Sequence, residues 1–267
     1  MTPRPTAHLL PGDDASPVVV HVPHASRHVP ADARSSIVLD DDALAAELDA
    51  MTDVATDVLA ERAVAAAVTA GTPRPWRFVN AASRLVVDPE RFPDPAAEEM
   101  TEVGMGAVYT RTSDLRLLRD DDPDRDAALV RRYFDPYAAA LADLVDDRLA
   151  AHGRCVVVDL HSYPALPLPY ERHADDRRPP VCLGTDPVHT PAALVAAARA
   201  ALAPVGDVVL DEPFRGTYVP LRHWGTERRV SSLMVELRRD TYAGADGADA
   251  VVAALVDLLH RLDGTSA

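Results

Sequence analysis

The stretch Cys155-Val156-Val157-Val158-Asp159-Leu160-His161-Ser162 decides the fold class of this chain. Its apolar, β-branched first half predicts a short buried β-strand over residues 155–158. A strong helical pattern over residues 126–151 comes directly before this strand and stops at Gly153. A helix followed so closely by a buried strand is typical of α/β folds, in which helices cover a central sheet.

Strands and alanine-rich helical stretches alternate in the same way along the rest of the chain. This pattern predicts an α/β fold with a mixed, mostly parallel twisted sheet and helices on both faces, in one domain over residues 1–267. Residues 88–125, rich in Pro, Asp and Glu, predict a long irregular loop of the kind that forms a site wall or a lid. Further strands are predicted over residues 18–22, 77–79, 85–87, 208–210 and 232–237, and further helices over residues 42–70, 191–203 and 248–262.

The composition restricts the classes of partner and chemistry. The formal net charge of -15 argues against nucleic acid, since phosphates require a positive face, and against an anionic membrane. All 27 Lys+Arg residues are arginine, which excludes lysine-based Schiff-base and phosphate-loop chemistry. The two cysteines, Cys155 and Cys182, have the spacing of neither a disulfide framework nor a metal site. Without a signal stretch or an apolar run of about 20 residues, a soluble cytoplasmic protein is expected.

Three predicted strands end in side chains that can bind a metal ion or transfer protons. His24 follows the first strand and the proline that ends it, Asp159 and His161 follow the quoted strand, and Glu236 lies near the end of the strand over residues 232–237. Ligands of open α/β sheets bind at the carboxyl ends of the strands, so these side chains are expected to meet there. A lone histidine is more often structural, but several strands that end in this way favour a functional site.

Asp159 and His161 form a pair with a specific chemical meaning. Residues i and i+2 of a strand point to one face, so the carboxylate can hold one imidazole nitrogen while the other nitrogen binds a metal ion. A buried Asp–His hydrogen bond without a metal ion is the alternative. His21 is either a group that supports the site or an ordinary strand residue.

Six short motifs follow one another in an order known from a single family. They are Val22-Pro23-His24-Ala25-Ser26, Thr52-Asp53, Ser83-Arg84 with Asp88 and Arg91, Asp159-Leu160-His161-Ser162, Gly216 with Arg222-His223-Trp224-Gly225, and Glu236-Leu237 with Tyr242. In this order the chain resembles the N-formylglutamate amidohydrolases over residues 18–245. The segment Glu236-Leu237-Arg238 is also similar to the segment that holds the general base of the zinc carboxypeptidases.

The resemblance implies a zinc-carboxypeptidase-like hydrolase with one Zn²⁺ per chain, held by His24, Asp53 and His161 with a fourth position open. Zinc would polarise the amide carbonyl and lower the pKa of a water molecule. Glu236 would then take the proton of that water and pass it to the leaving amine. Asp53 lies in a predicted helical stretch where Asp49 and Asp57 offer the same chemistry, and a solvated helix carboxylate is the alternative.

The resemblance also implies a small acylamino acid as the substrate. The planar fork of arginine suits the substrate's carboxylate, which makes Arg84, Arg91 and Arg222 candidate substrate-binding residues. His223 is a candidate catalytic residue that stabilises an oxyanion. Each of these residues has a surface ion pair as its alternative.

Two departures from the family pattern concern the substrate rather than the metal ion. The chain has Ala25-Ser26 where the family usually has Ser-Gly, and Glu90-Arg91 where the family usually has Asn-Arg. The expected activity is zinc-dependent hydrolysis of the amide of a small N-acylamino acid such as N-formylglutamate. A peptidase or deacylase for another amide, and a non-catalytic ligand-binding relative, are the alternatives. The sequence sets no oligomeric state.

Overall fold

A mixed sheet of seven strands lies at the centre of the computed structural model, which describes residues 5–264. The strands are β1 (Ala7–Leu10), β2 (Val18–Val22), β3 (Trp76–Asn80), β4 (Cys155–Tyr163), β5 (Val181–Gly184), β6 (Val208–Leu210) and β7 (Val230–Arg238). They are hydrogen-bonded in the order β1-β3-β2-β4-β7-β5-β6. β3, β2, β4 and β7 run parallel, β1 and β5 join them antiparallel, and β6 is parallel to β5.

Helices connect most of the strands. They are α1 (Ala31–Arg34), α2 (Asp41–Met51), α3 (Thr56–Thr69), α4 (Pro123–Leu129), α5 (Asp135–His152), α6 (Ala192–Leu202) and α7 (Ala245–Gly264). A π-helical turn over Val130–Phe134 joins α4 to α5, and a 3-10 turn over Arg239–Tyr242 follows β7 directly. The chain therefore alternates between sheet and helix, as the sequence predicted.

Alternate residues of the central strands pack against helices on opposite faces of the sheet. Val18, Val20 and Val22 of β2 lie in one apolar cluster with residues of α3, α6 and α7, whereas Val19 lies in another cluster with residues of α5. Successive side chains of a strand point to opposite faces, so a strand covered on both faces needs an almost continuous apolar run. The predicted mixed, mostly parallel sheet with helices on both faces is confirmed.

The prediction of one helix over residues 42–70 is wrong, because two helices occupy this stretch. Helix α2 ends at Met51, Thr52 is extended with φ −79° and ψ 135°, and Ala55 adopts a left-handed conformation with φ 59°. Thr and Asp favour helix ends over helix interiors because their side chains compete for backbone groups, which is compatible with a break at Thr52-Asp53. Asp53 therefore lies in a connection between two helices rather than on a helix.

Other differences concern short elements. Residues 85–87, predicted as a strand, form a turn whose apolar side chains are buried in clusters beside the sheet. The strands β1 and β5, of four residues each, were not predicted. β4 and β7 are longer than predicted and contain nine residues each, because their polar ends continue the pairing with each other.

Between residues 5 and 264, no helix has the length and apolar character needed to span a bilayer. The seven strands, from Ala7 to Arg238, belong to one sheet. The single domain over residues 1–267 stays a prediction, and residues 1–4 and 265–267 lie outside the described part.

Candidate active site

A cavity of about 600 Å³ lies at the carboxyl ends of β2, β4 and β7. His24 comes two residues after β2, while His161 and Glu236 are register partners on the adjacent strands β4 and β7. All three residues line the cavity. Carboxyl ends of strands are where α/β sheets bind ligands, and the volume falls in the usual range of roughly 300–1,000 Å³ for small-molecule sites.

Three potential ligand atoms converge at the floor of this cavity. His161 Nδ1 lies 3.1 Å from Asp53 Oδ2 and 3.3 Å from His24 Nδ1. His24 Nδ1 lies 3.6 Å from Asp53 Oδ2. Ligands placed tetrahedrally around zinc at its usual bond lengths are about 3.3–3.4 Å apart. The three residues predicted as metal ligands are thus brought together at a spacing that suits a single zinc ion.

Asp53 reaches this cluster because of the break between α2 and α3. Its backbone N–H donates to the carbonyl of His24 at 3.0 Å, which ties the two loops together, and its side chain is buried. Asp49, by contrast, is 72% exposed and pairs with Arg27. Asp57 is exposed in the first turn of α3. Of the three carboxylates offered by the sequence, the structure places Asp53 beside the histidines, so the alternative of a solvated helix carboxylate does not hold.

Carboxylates hold both imidazole rings from the side opposite to the cluster. His24 Nε2 lies 3.0 Å from Asp88 Oδ1, and His161 Nε2 lies 3.1 Å from Asp159 Oδ1. The contact expected between Asp159 and His161 is therefore present. When one nitrogen of a histidine faces a carboxylate, the ring orientation is fixed and the other nitrogen becomes a better ligand.

His21 supports the site through Asp159. Its Nδ1 lies 2.8 Å from Asp159 Oδ1 and its Nε2 lies 2.5 Å from the hydroxyl oxygen of Tyr137 on α5. The backbone N–H of Tyr218 donates to the second oxygen of Asp159. Asp159 is therefore held on both oxygens, and the ring of His161 rests on a fixed partner.

The electrostatics of the cluster favour positive charge at the two histidines. Burial lowers the pKa of His161, but the charges of Glu90 and Asp159 and the close contacts with Asp159 and Asp53 hold it well above its usual value. For His24, burial and the charge of Arg84 lower the pKa, yet Asp88 and Asp53 raise it by more. Burial disfavours the charged form of each ring, so these shifts reflect the surplus of carboxylates around the rings.

That surplus follows from the charged groups that surround the rings. If all of them are ionised, five carboxylates face three guanidinium groups, and two negative charges lack a partner. A buried charge without a partner is costly, so this arrangement calls for about two compensating positive charges. The carboxylates are Asp53, Asp88, Glu90, Asp159 and Glu236, and the guanidinium groups are those of Arg84, Arg91 and Arg239.

Glu236 has the environment of a proton-transfer group. Glu236 is only 8% exposed, and its Oε2 is buried with no hydrogen-bond partner. Burial raises the pKa of Glu236 to about 8, against the lowering influence of His161. The neighbouring Arg238 pairs with Asp240 instead. A carboxyl group with a pKa near neutrality and a free oxygen beside a cavity suits general acid–base work.

Two of the predicted substrate-binding arginines line the cavity, but they differ in their partners. Arg84 donates from Nε at 3.2 Å and from Nη2 at 2.7 Å to Asp88 Oδ2, and from Nε at 2.9 Å to Tyr109. Arg91 lies 3.8 Å from Asp88 Oδ2, and its buried Nε has no hydrogen-bond partner. Arg84 is thus committed to Asp88, whereas Arg91 retains donors for another acceptor.

The structure does not bring Arg222 and His223 to the cavity. Arg222 Nη1 donates to Asp143 at 3.0 Å and to Asp146, both on α5, and its side chain is 50% exposed. His223 Nε2 lies 2.7 Å from Asp146 Oδ1. Their neighbours Leu221 and Trp224 do line the cavity. The loop therefore contributes its apolar residues to the site, and Arg222 occupies the surface ion pair that was its alternative.

Replacing Arg222 with Ala should therefore change kcat/KM by no more than about twofold, because exposed ion pairs contribute little. Steady-state kinetics on a substrate that the protein hydrolyses provide the measurement, with the metal content determined alongside. A loss of 100-fold or so would return Arg222 to the list of substrate-binding residues.

Glu90 is the main group in the site to which no role was given. Its Oε2 lies 3.2 Å from His161 Nε2 and 3.8 Å from His24 Nε2, and its Oε1 lies 3.7 Å from His21 Nδ1. Together with His24 and His161 it also offers ligand atoms within 4.8 Å of one another. In the sequence Glu90 stood out only as a departure from the family's asparagine, and no pattern showed that it points inward.

Solved structures with the same fold include two bacterial proteins. An N-formylglutamate amidohydrolase from Ralstonia eutropha JMP134 superposes with a TM-score of 0.79 at 23% sequence identity, covering 97% of each chain. A gene product of Agrobacterium tumefaciens superposes with a TM-score of 0.71 at 20% identity, covering 97% of this chain and 95% of the other. A search of curated proteins found no match. At these identities the likeness to the solved structures establishes the fold.

The sheet, with a histidine–carboxylate cluster and a buried acid at its strand ends, defines an α/β protein with a candidate active site. The profile of the family described as N-formylglutamate amidohydrolase matches residues 16–243. The chain belongs to the N-formylglutamate amidohydrolase family, as the order of its motifs indicated.

Proposed function

We propose that this protein is a metal-dependent amidohydrolase that cleaves a small N-acylamino acid such as N-formylglutamate, with one zinc ion per chain. The observation that carries the proposal is the convergence of His24 Nδ1, His161 Nδ1 and Asp53 Oδ2 beside Glu236. Two histidines and a carboxylate with room for a fourth ligand form a typical catalytic zinc site. The cytoplasmic location expected from the sequence stays a prediction.

The residues of the site fit a divalent cation in charge as well as in spacing. With every acidic group ionised, the carboxylates around His24 and His161 exceed the guanidinium groups by two. Asp53 and other carboxylates raise the pKa of each histidine. A divalent cation would supply the same two charges and leave both rings neutral, the form in which histidine binds metal. Asp88 and Asp159 would keep their positions behind the rings.

The chain's own residues would move the protons of the reaction. A zinc ion held by the three ligands would polarise the substrate carbonyl and make a water molecule more acidic. Glu236 would accept the proton of the attacking water at its free Oε2. As the C–N bond breaks, Glu236 would deliver this proton to the nitrogen of the leaving amine, so that a carboxylic acid and an amino acid are released.

The substrate class is tested by turnover of a panel by the zinc-loaded protein. Hydrolysis of N-formyl-, N-acetyl- and N-carbamoyl-amino acids would be followed by release of the free amino acid. Preference for one acyl group identifies the substrate, and activity on a different amide alone would support a deacylase or peptidase. Zinc binding without turnover of any acylamino acid would support a non-catalytic relative and contradict the proposal.

Arg91 is expected to bind the carboxylate of the substrate's amino acid. Arg91→Lys should raise KM or lower kcat/KM about 10- to 100-fold, because a compact ammonium cannot reproduce the planar fork of a guanidinium. The rate would be compared on an acylamino acid and on its α-amide.

Arg172→Lys is the matched control, since Arg172 also lines the cavity but pairs with Glu102 at its exposed rim. This variant should keep wild-type kinetics. Equal activity of the wild type on the acylamino acid and on its α-amide would show that no arginine of the site binds the α-carboxylate.

A further inference from the structure

We infer that Arg239 determines specificity at this site by binding a second carboxylate of the substrate. The inference rests on the proposed amide hydrolysis. Arg239 begins the 3-10 turn Arg239–Tyr242 that follows β7, three residues after Glu236, and it lines the cavity. Among the cavity's arginines it is the one that comes closest to the proposed ligand Asp53, with 4.0 Å between Nη2 and Oδ1.

The guanidinium of Arg239 is anchored at one end and free at the other. Its Nη1 donates to the carbonyls of Ala50 at 3.1 Å and Asp49 at 3.4 Å, in the last turn of α2. These carbonyls carry the negative end of the helix dipole, which suits a cation. Its Nε, by contrast, is buried without a hydrogen-bond partner, and Nη2 is too far from Asp53 for a hydrogen bond.

Nε and Nη2 form the edge with which a guanidinium grips a carboxylate bidentately. Arg84 has this edge occupied by Asp88, with hydrogen bonds from both nitrogens. Arg239 has the same edge fixed in place by its anchor on α2 and has no acceptor for it. A pre-positioned fork of this kind loses little entropy on binding, which makes it selective for a planar anion.

Apart from Arg84 and Arg91, the other arginines of the cavity wall already pair with acidic residues at the surface. Arg172 pairs with Glu102 and Arg215 pairs with Asp176, and both side chains are partly exposed. Arg91 and Arg239 flank His24 on different sides, Arg91 beyond Asp88 and Arg239 beyond Asp53. For a substrate whose α-carboxylate lies at Arg91, the inference places the second carboxylate at Arg239.

A pair of substrates that differ in one charge tests this role. N-formylglutamate and N-formylglutamine have nearly the same shape, and only the former carries a second carboxylate. The zinc-loaded wild-type protein should prefer the glutamate compound about 10- to 100-fold in kcat/KM, the usual worth of a charged hydrogen-bonded pair. Arg239→Gln should reduce this ratio to about one. Arg91→Gln should lower kcat/KM for both substrates and keep the ratio.

Two further measurements separate the inference from its alternatives. Zinc content should be unchanged in Arg239→Gln; a loss of zinc with the preference intact would mean that Arg239 only positions Asp53, and would overturn the inference. Binding of glutarate and of its monoamide to the zinc-loaded protein, measured by calorimetry, needs no turnover. Tighter binding of glutarate that disappears in Arg239→Gln would support the inference even if no acylamino acid is hydrolysed. Undiminished glutarate preference in the variant would refute it.

Discussion

Replacement of Glu236 with Gln is expected to lower kcat by about 10²–10⁴-fold, the usual worth of a positioned general base. The amide keeps the shape of the side chain but cannot accept the proton of water. Because Glu236 is not among the three converging ligand atoms, the variant should still bind zinc and substrate. The measurements are zinc content, melting temperature and kcat on the same preparation of protein.

Glu99→Gln provides a matched control for this change. Glu99 also lines the cavity and loses the same charge, but its side chain is 89% exposed and pairs with Arg172 at the rim. Its kcat should stay within about twofold of the wild type, since exposed charges contribute little. Loss of zinc from Glu236→Gln would make Glu236 a ligand instead of a base. Retained zinc with near-wild-type kcat would exclude the mechanism proposed here.

The pH dependence of the rate reports on the same group. A base must be deprotonated, so kcat/KM should rise with pH through the pKa of Glu236. Burial raises that pKa to about 8 in the protein alone, and a bound cation would lower it, so the midpoint is expected below about 8. The limb of the pH profile that belongs to Glu236 should vanish in Glu236→Gln.

The meeting of His24, His161 and Glu236 could be predicted from the sequence because each lies at the end of an apolar strand. Parallel strands end at one edge of a sheet, and the register of β4 with β7 places His161 directly beside Glu236. The same reasoning gave the contact between Asp159 and His161, since alternate residues of a strand share a face. The alternation of side chains along a strand and the shared edge of parallel strands therefore account for the position of these strand-end residues.

The loop residues of the site could not be predicted in this way, since tertiary packing decides where they point. Asp53 was assigned only through the resemblance, because the break between α2 and α3 leaves no clear mark in a helical pattern. Glu90 turns inward against His161, whereas Arg222 turns outward against α5. Arg238 and Arg239 are adjacent in sequence, yet the first pairs with Asp240 and the second lines the cavity.

The wild-type protein is expected to hold about one zinc ion per chain, and His161→Ala should remove it together with the activity. His161 contributes one of the three converging atoms, and the change also leaves Asp53, Asp159 and Glu90 without the group between them. Removal of a group that only supports a metal ligand from outside lowers the affinity about 10- to 100-fold. Removal of the ligand itself should therefore lower the affinity for zinc further. Elemental analysis of purified wild type and variant gives the stoichiometry, and circular dichroism verifies the fold.

Two controls make this result specific to the proposed ligands. His152→Ala removes a half-buried histidine at the end of α5, whose Nε2 lies 2.8 Å from the carbonyl oxygen of Asp14, and should leave the zinc content unchanged. Asp53→Asn should lose zinc, while Asp49→Asn, four residues earlier on the exposed side of α2, should keep it. Because Asp49 and Asp53 share a residue type and a stretch of sequence, only the position of the side chain distinguishes them. Undiminished zinc in both His161→Ala and Asp53→Asn would show that the metal ion binds elsewhere.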